Sequence, residues 1–128
     1  EWILSVIAQT LKTFNIKFTR LWNEERTGML YPAVLFEDQG HNSLDACREM
    51  LREVHTDAMA FCGIEMHRRC LSLAHNADFE DIEDISLRAS LEARNLQMGA
   101  QLILEAETIS DESALLALAR SYNQKVIL

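Results

Sequence analysis

A single proline and four glycines punctuate 128 residues. A chain so poor in turn-formers cannot supply the many tight turns that an all-β fold needs. Leu, Ala, Glu and Arg dominate instead, and these are strong helix formers. The spacing of the apolar residues agrees. Ile3, Ile7, Leu11, Phe14, Phe18 and Leu21 recur at steps of three and four, one face of a helix, and Trp22 widens it. The reading is an all-α chain with four main helices at about 2–25, 43–75, 85–107 and 110–123, forming a single helical segment over 1–128.

The period fails between Thr27 and Ser43, where Gly28, Pro32, Asp38, Gly40 and Asn42 mark a connector with a short turn of helix. Ser43 is placed to cap the second helix, as Ser110 is for the fourth. Asp111 and Glu112 suit the positive end of that last helix. In the third, Ile85, Ala89, Leu96 and Ile103 form one stripe and Leu91, Met98 and Leu102 another. Two apolar faces predict neighbours on both sides. In the fourth, Leu115, Leu118, Ala119 and Tyr122 face inward.

The second helix carries the informative anomaly. Cys47, Leu51, Val54, Ala58 and Phe61 make an apolar stripe, and its continuation is Glu65, Arg68, Ser72 and His75. The same line of the helix turns from apolar to hydrogen-bonding halfway along, and beyond Gly63 the apolar positions move round the helix to Cys62, Met66, Cys70 and Leu73. Gly63 sits at the change although a mid-helix glycine costs about 1 kcal/mol relative to alanine. A close backbone contact or a kink is expected there.

Net charge is −8, so a phosphate backbone or an anionic lipid surface is a poor partner for this chain. No nucleic-acid or membrane role is expected. Cys47, Cys62 and Cys70 lack a paired spacing, which fits a reducing, cytoplasmic setting. The pattern opens on Glu1, inside a helix, and the chain is expected to be a piece of something longer.

Arg68 and Arg69 are the first candidates for chemistry. Two permanent multi-donor cations can grip substrate oxygens. The structural alternative is a pair of surface arginines bridged to Glu65, at helical salt-bridge spacing. Cys62, His67, Cys70 and His75 spread too far round one helix to converge on a metal. The acidic run 78–84 lacks the central glycine of a calcium loop and reads as negative charge before a helix. His75, Asp78 and the Asp78-Phe79-Glu80 trio echo kinase catalytic and metal-binding loops. They overlap within six residues, where real phosphotransferase loops are separate.

Asp57, Phe61, Gly63, Glu65, Arg68-Arg69, His75, Ala77-Asp78, Ile82, Arg88 and Gly99 stand in an order and spacing that resembles the methylthioribose kinase family. Those sugar kinases have an aminoglycoside-phosphotransferase-like, protein-kinase-like fold. The resemblance implies the C-terminal helical part of such an enzyme. The family uses ATP and magnesium to phosphorylate the 1-hydroxyl of S-methyl-5-thioribose in methionine salvage.

Arg68 and Arg69 match the arginine pair that contributes to the family's sugar cleft, with Glu65, Gly63 and His75 in support. Nothing here matches the family's catalytic aspartate or its metal-binding acids. No catalytic, cofactor or metal residue is assigned, and no ATP binding is expected of these residues alone. The partners implied are a sugar and the N-terminal lobe with its catalytic loops. His67, Ser72 and Asn76 depart from the family's usual residues. The rival reading is a stand-alone helical interaction module, with a homodimer left open.

Overall fold

The computed structural model describes residues 1–26, 31, 32, 34–37, 40, 42–71 and 77–124. Helices make up the regular structure of the described residues: α1 (Trp2–Glu24), α2 (Val34–Glu37), α3 (Ser43–Leu71), α4 (Ala77–Glu80), α5 (Ile85–Leu104) and α6 (Glu112–Gln124), with a 3₁₀ turn at Ala106–Thr108. The all-α reading holds. None of these helices is long and apolar enough to cross a membrane. The chain divides into two compact units, Glu1–Val54 and His55–Leu128.

In the first unit, Trp22 is the buried anchor of α1. Its indole N–H donates to the Ser43 carbonyl at 3.0 Å. Tyr31 lies 5.2 Å from its ring, and the Arg26 guanidinium sits over it at 5.2 Å. Phe14, Phe18 and Trp22 form a ladder of rings along α1. The rest of the apolar stripe stays open, with Ile3 63% and Phe14 44% exposed. Asn42, not Ser43, caps α3: its side-chain oxygen accepts the Leu44 N–H at 2.9 Å. An amide one residue earlier reaches the free N–H groups of the first turn, and Ser43 is already helical.

In the second unit the core gathers Met59, Leu102, Ala106, Ile109 and Tyr122. Asp84 caps α5 by accepting from the Ser86 and Leu87 N–H groups. The expected third helix breaks at Leu104, and its last residues wind into the 3₁₀ turn. Asp111, not Ser110, caps α6, its Oδ1 taking the Ala114 N–H at 2.8 Å. The expectation of two covered faces on α5 holds only in part: Leu96 is partly buried and Ile103 lies against Gly63 of α3. Leu102 is buried, whereas Ile85 and Ala89 of the other stripe are exposed. Leu115, Leu118 and Ala119 of α6 are partly buried and Tyr122 fully so, as their spacing predicts.

Helices α3 and α5 meet at glycines. A Cβ on Gly63 would lie 2.4 Å from the Gly99 carbonyl oxygen and 2.7 Å from Ile103 Cγ1. This is the close backbone approach expected at Gly63. Polar ties secure the same contact. The Asn95 amide donates to the Met66 carbonyl at 2.7 Å and to Cys70 Sγ at 3.1 Å. A ring nitrogen of His55 lies 2.8 Å from the Ile109 carbonyl.

Candidate functional site

Arg68 and Arg69 occupy the last turn of α3, where cations complement the negative end of the helix dipole. Arg68 grips Glu65 with two parallel hydrogen bonds, Nε to Oε2 at 2.7 Å and Nη2 to Oε1 at 2.6 Å. Arg69 donates from Nε to the same Oε1 at 3.2 Å. Its Nη1 also donates to Asp78 Oδ2 of α4. One carboxylate thus holds both guanidinium groups, and a second ties Arg69 to the next helix.

The side chains of Arg68 and Arg69 remain 47% and 40% exposed, so water or a ligand can reach both. The Arg68 hydrogen bond and the nearby Arg69 charge lower the Glu65 carboxyl to about 2. Glu65 in turn raises Arg68 above its ordinary value. The cluster sets two basic side chains against two acidic ones. Each guanidinium carries five N–H donors and spends only part of them on these carboxylates. The arrangement can therefore hold uncharged oxygen acceptors without a large charge mismatch.

The stripe argument behind Arg68 needs correction. Ala58 is exposed and Phe61 is 68% exposed. The covered line of α3 is instead His55, Met59, Gly63, Met66 and Cys70, at steps of four and three. Gly63 turns this line toward α5, because only a residue without a side chain allows so close a crossing. Arg68 accordingly continues an open face, not a core-facing one.

Of the supporting residues, Glu65 joins the cluster, and Gly63 lies two residues upstream at the helix crossing. His75 falls outside the described residues, as do Ser72 and Asn76. His67 turns inward, with Nδ1 2.8 Å from the Gly63 carbonyl. Cys62 is exposed, and burial of its surroundings raises its thiol.

Sequence reasoning missed Asp78 as a member of the cluster. It lies nine residues beyond Arg69, outside the reach of one helix, and it meets Arg69 from α4. Asp78 also lines a hollow of about 270 Å³ in the second unit. Arg68 and Arg69 are not among the lining residues, so the cluster meets the hollow only through Asp78.

No family model matches the chain, and neither does any solved structure. Curated proteins do match. Methylthioribose kinase 2 of rice (Oryza sativa subsp. japonica) is 34% identical over 105 residues, which is 80% of this chain. The enzyme of Escherichia coli O45:K1 (strain S88) is 28% identical over 120 residues, or 94% of the chain. The chain's curated relatives are methylthioribose kinases. The methylthioribose kinase of Pectobacterium atrosepticum reaches 40% identity over a shorter stretch of 70 residues. The resemblance carried by residues 57–99 is borne out. The chain spans about a quarter of the length of these relatives, 29% of the Escherichia coli protein and 24% of the rice one.

Proposed function

We propose that this chain is the C-terminal helical part of a sugar kinase that moves the γ-phosphate of ATP to the 1-hydroxyl of S-methyl-5-thioribose. Arg68 and Arg69 hold oxygen atoms of the sugar. The observation that carries this is the shared Glu65 carboxylate, which orients two adjacent, water-accessible guanidinium groups in a charge-balanced cluster. Such a cluster suits a neutral polyol. The names of the relatives supply the sugar.

Phosphoryl transfer depends on holding the acceptor hydroxyl in line with the γ-phosphate. Hydrogen bonds from fixed guanidinium groups would provide that alignment and leave bond making to groups elsewhere in the enzyme. In this reading ATP and magnesium are bound outside these 128 residues, and the residues alone are inactive. The test is Arg68→Ala in an intact kinase that carries this segment. The expected loss in kcat/KM for the sugar is about 10- to 150-fold, the value of a charge-assisted hydrogen bond in the transition state. An unchanged kcat/KM removes the assignment.

One observation favours a second reading, a helical interaction module. The α1 stripe presents Ile3, Ile7, Phe14 and Leu21 to the surface of this chain. Exposed apolar patches of this kind mark contacts with other protein. Under that reading the chain self-associates in sedimentation measurements, and the arginine variant leaves every activity untouched.

A further inference from the structure

The hollow beside Asp78 contains a cation that the arginine cluster does not explain. Its volume of about 270 Å³ lies just below the range for drug-sized pockets, roughly 300–1,000 Å³, and suits a smaller guest. Met66, Phe79, Leu91 and Met98 give it apolar lining, and the two thioethers can adapt to the shape of a guest. Most of its polar lining is already engaged. The Asn95 amide bonds to α3, the Tyr122 hydroxyl donates to Gln101 at 2.8 Å, and Asp78 is held by Arg69.

Arg94 is different. It lines the same hollow and is partly buried. Arg20, Arg48, Arg52, Arg68, Arg69 and Arg88 each have a carboxylate within ion-pair distance. Arg94 has none among the described residues, in a chain with 20 acidic residues to choose from. Its guanidinium nitrogens are not among the buried unpartnered atoms, so water reaches them and a bound carboxylate could take that water's place. Arg94 faces space that a ligand can enter.

We infer that this hollow binds a small organic carboxylate with an apolar body. The carboxylate pairs side-on with the Arg94 guanidinium, and the body lies against Met66, Phe79 and Met98. One guanidinium matches one carboxylate in shape and charge. A phosphate dianion fits less well, because a single cation would face two charges with the Asp78 carboxylate on the same rim. The site does not depend on the roles proposed for Arg68 and Arg69, and its failure would leave that reading as it stands.

The test follows the Met66 and Met98 methyl resonances of the ¹³C-methionine-labelled 128-residue chain. The probes are 3-(methylthio)propanoate, its methyl ester and inorganic phosphate. The carboxylate is expected to move both methyls saturably, with a dissociation constant of about 1 mM. The ester, the phosphate and the Arg94→Gln chain with the carboxylate should each bind about tenfold more weakly or worse. Equal shifts with ester and carboxylate, equal affinity for phosphate, or still methyls throughout would overturn the site. If Arg94→Gln loses its helical circular dichroism, the acid-against-ester comparison on the unaltered chain decides alone.

Discussion

Gly63 and Gly99 meet backbone to backbone. A methyl group on Gly63 would penetrate to 2.4 Å of the Gly99 carbonyl oxygen, and one on Gly99 would come no nearer than 2.9 Å to the His67 ring. The two glycines are therefore not equivalent. At Gly63 the obstacle is the backbone of α5, which cannot step aside without moving the helix. At Gly99 it is mainly a side chain that can rotate, with the Gly63 carbonyl at 3.0 Å behind it. Gly63→Ala is expected to destabilise the chain by about 1–3 kcal/mol, the range for overpacking, despite the better helix propensity of alanine. Gly99→Ala should cost less. Urea denaturation of both variants checks the order, and equal midpoints would mean that the helices part easily.

This crossing also explains what was legible in the sequence and what was not. Gly63 in mid-helix breaks the propensity rule, and such a break announces a packing reason before any coordinates are known. The direction of the packing was hidden. Cys47, Leu51, Val54, Ala58 and Phe61 form the more regular apolar line, yet Phe61 is exposed and the covered line runs through His55, Met59 and Gly63. Glycine carries no hydrophobic signal, and a histidine bonded to a carbonyl reads as polar, so periodicity found Met66 and Cys70 beyond Gly63 but passed over His55 and Met59 before it. The Arg68–Glu65 pairing was visible at helical spacing, whereas the Arg69–Asp78 pairing needed the fold.

Glu65 gives a titration that separates the two arginines. Its carboxyl is lowered to about 2, first by the Arg68 hydrogen bond and then, after a burial contribution of opposite sign, by Arg69. A depressed carboxyl stabilises the fold above its unfolded value near 4.5, and the contribution is lost as pH falls through about 2. The side chain is well exposed, so solvent screens the effect and the stability change is small. The carboxyl carbon resonance is the better readout. It should titrate near 2 in the unaltered chain. Arg68→Ala should return it most of the way to the ordinary glutamate range, and Arg69→Ala less far. An ordinary value in the unaltered chain would show that the bidentate pair does not persist in solution.

The helix starts make a sharper test of local structure. Asp84 satisfies two free N–H groups of α5, and Asp111 satisfies one of α6. Asp84→Ala and Asp111→Ala are each expected to cost about 0.5–2 kcal/mol, the usual value of an N-cap. Ser43→Ala and Ser110→Ala should fall within about 0.5 kcal/mol of the unaltered chain, as surface changes do. Thermal unfolding of the four variants measures this. A serine variant as damaging as its acidic neighbour would move the cap back to the position that composition alone suggests.

Asp78 offers a way to ask whether the arginines act by position. It touches Arg69 from a different helix, while Glu65 lies on the same helix as the pair. Asp78→Asn keeps the size and one acceptor but removes the charge that draws Arg69 toward α4. In an intact kinase carrying this segment, Arg69 would keep its Glu65 bond and lose part of its aim. The expected loss in kcat/KM is about 3- to 10-fold, below that of Arg69→Ala, because one exposed charge pair is weakened and neither proposed sugar donor is deleted. If positioning is the role, the double variant Arg69→Ala with Asp78→Asn should be no worse than Arg69→Ala alone, since Asp78 then has nothing left to aim. Additive losses in steady-state kinetics would mean that Asp78 acts on the substrate or the fold by a route of its own.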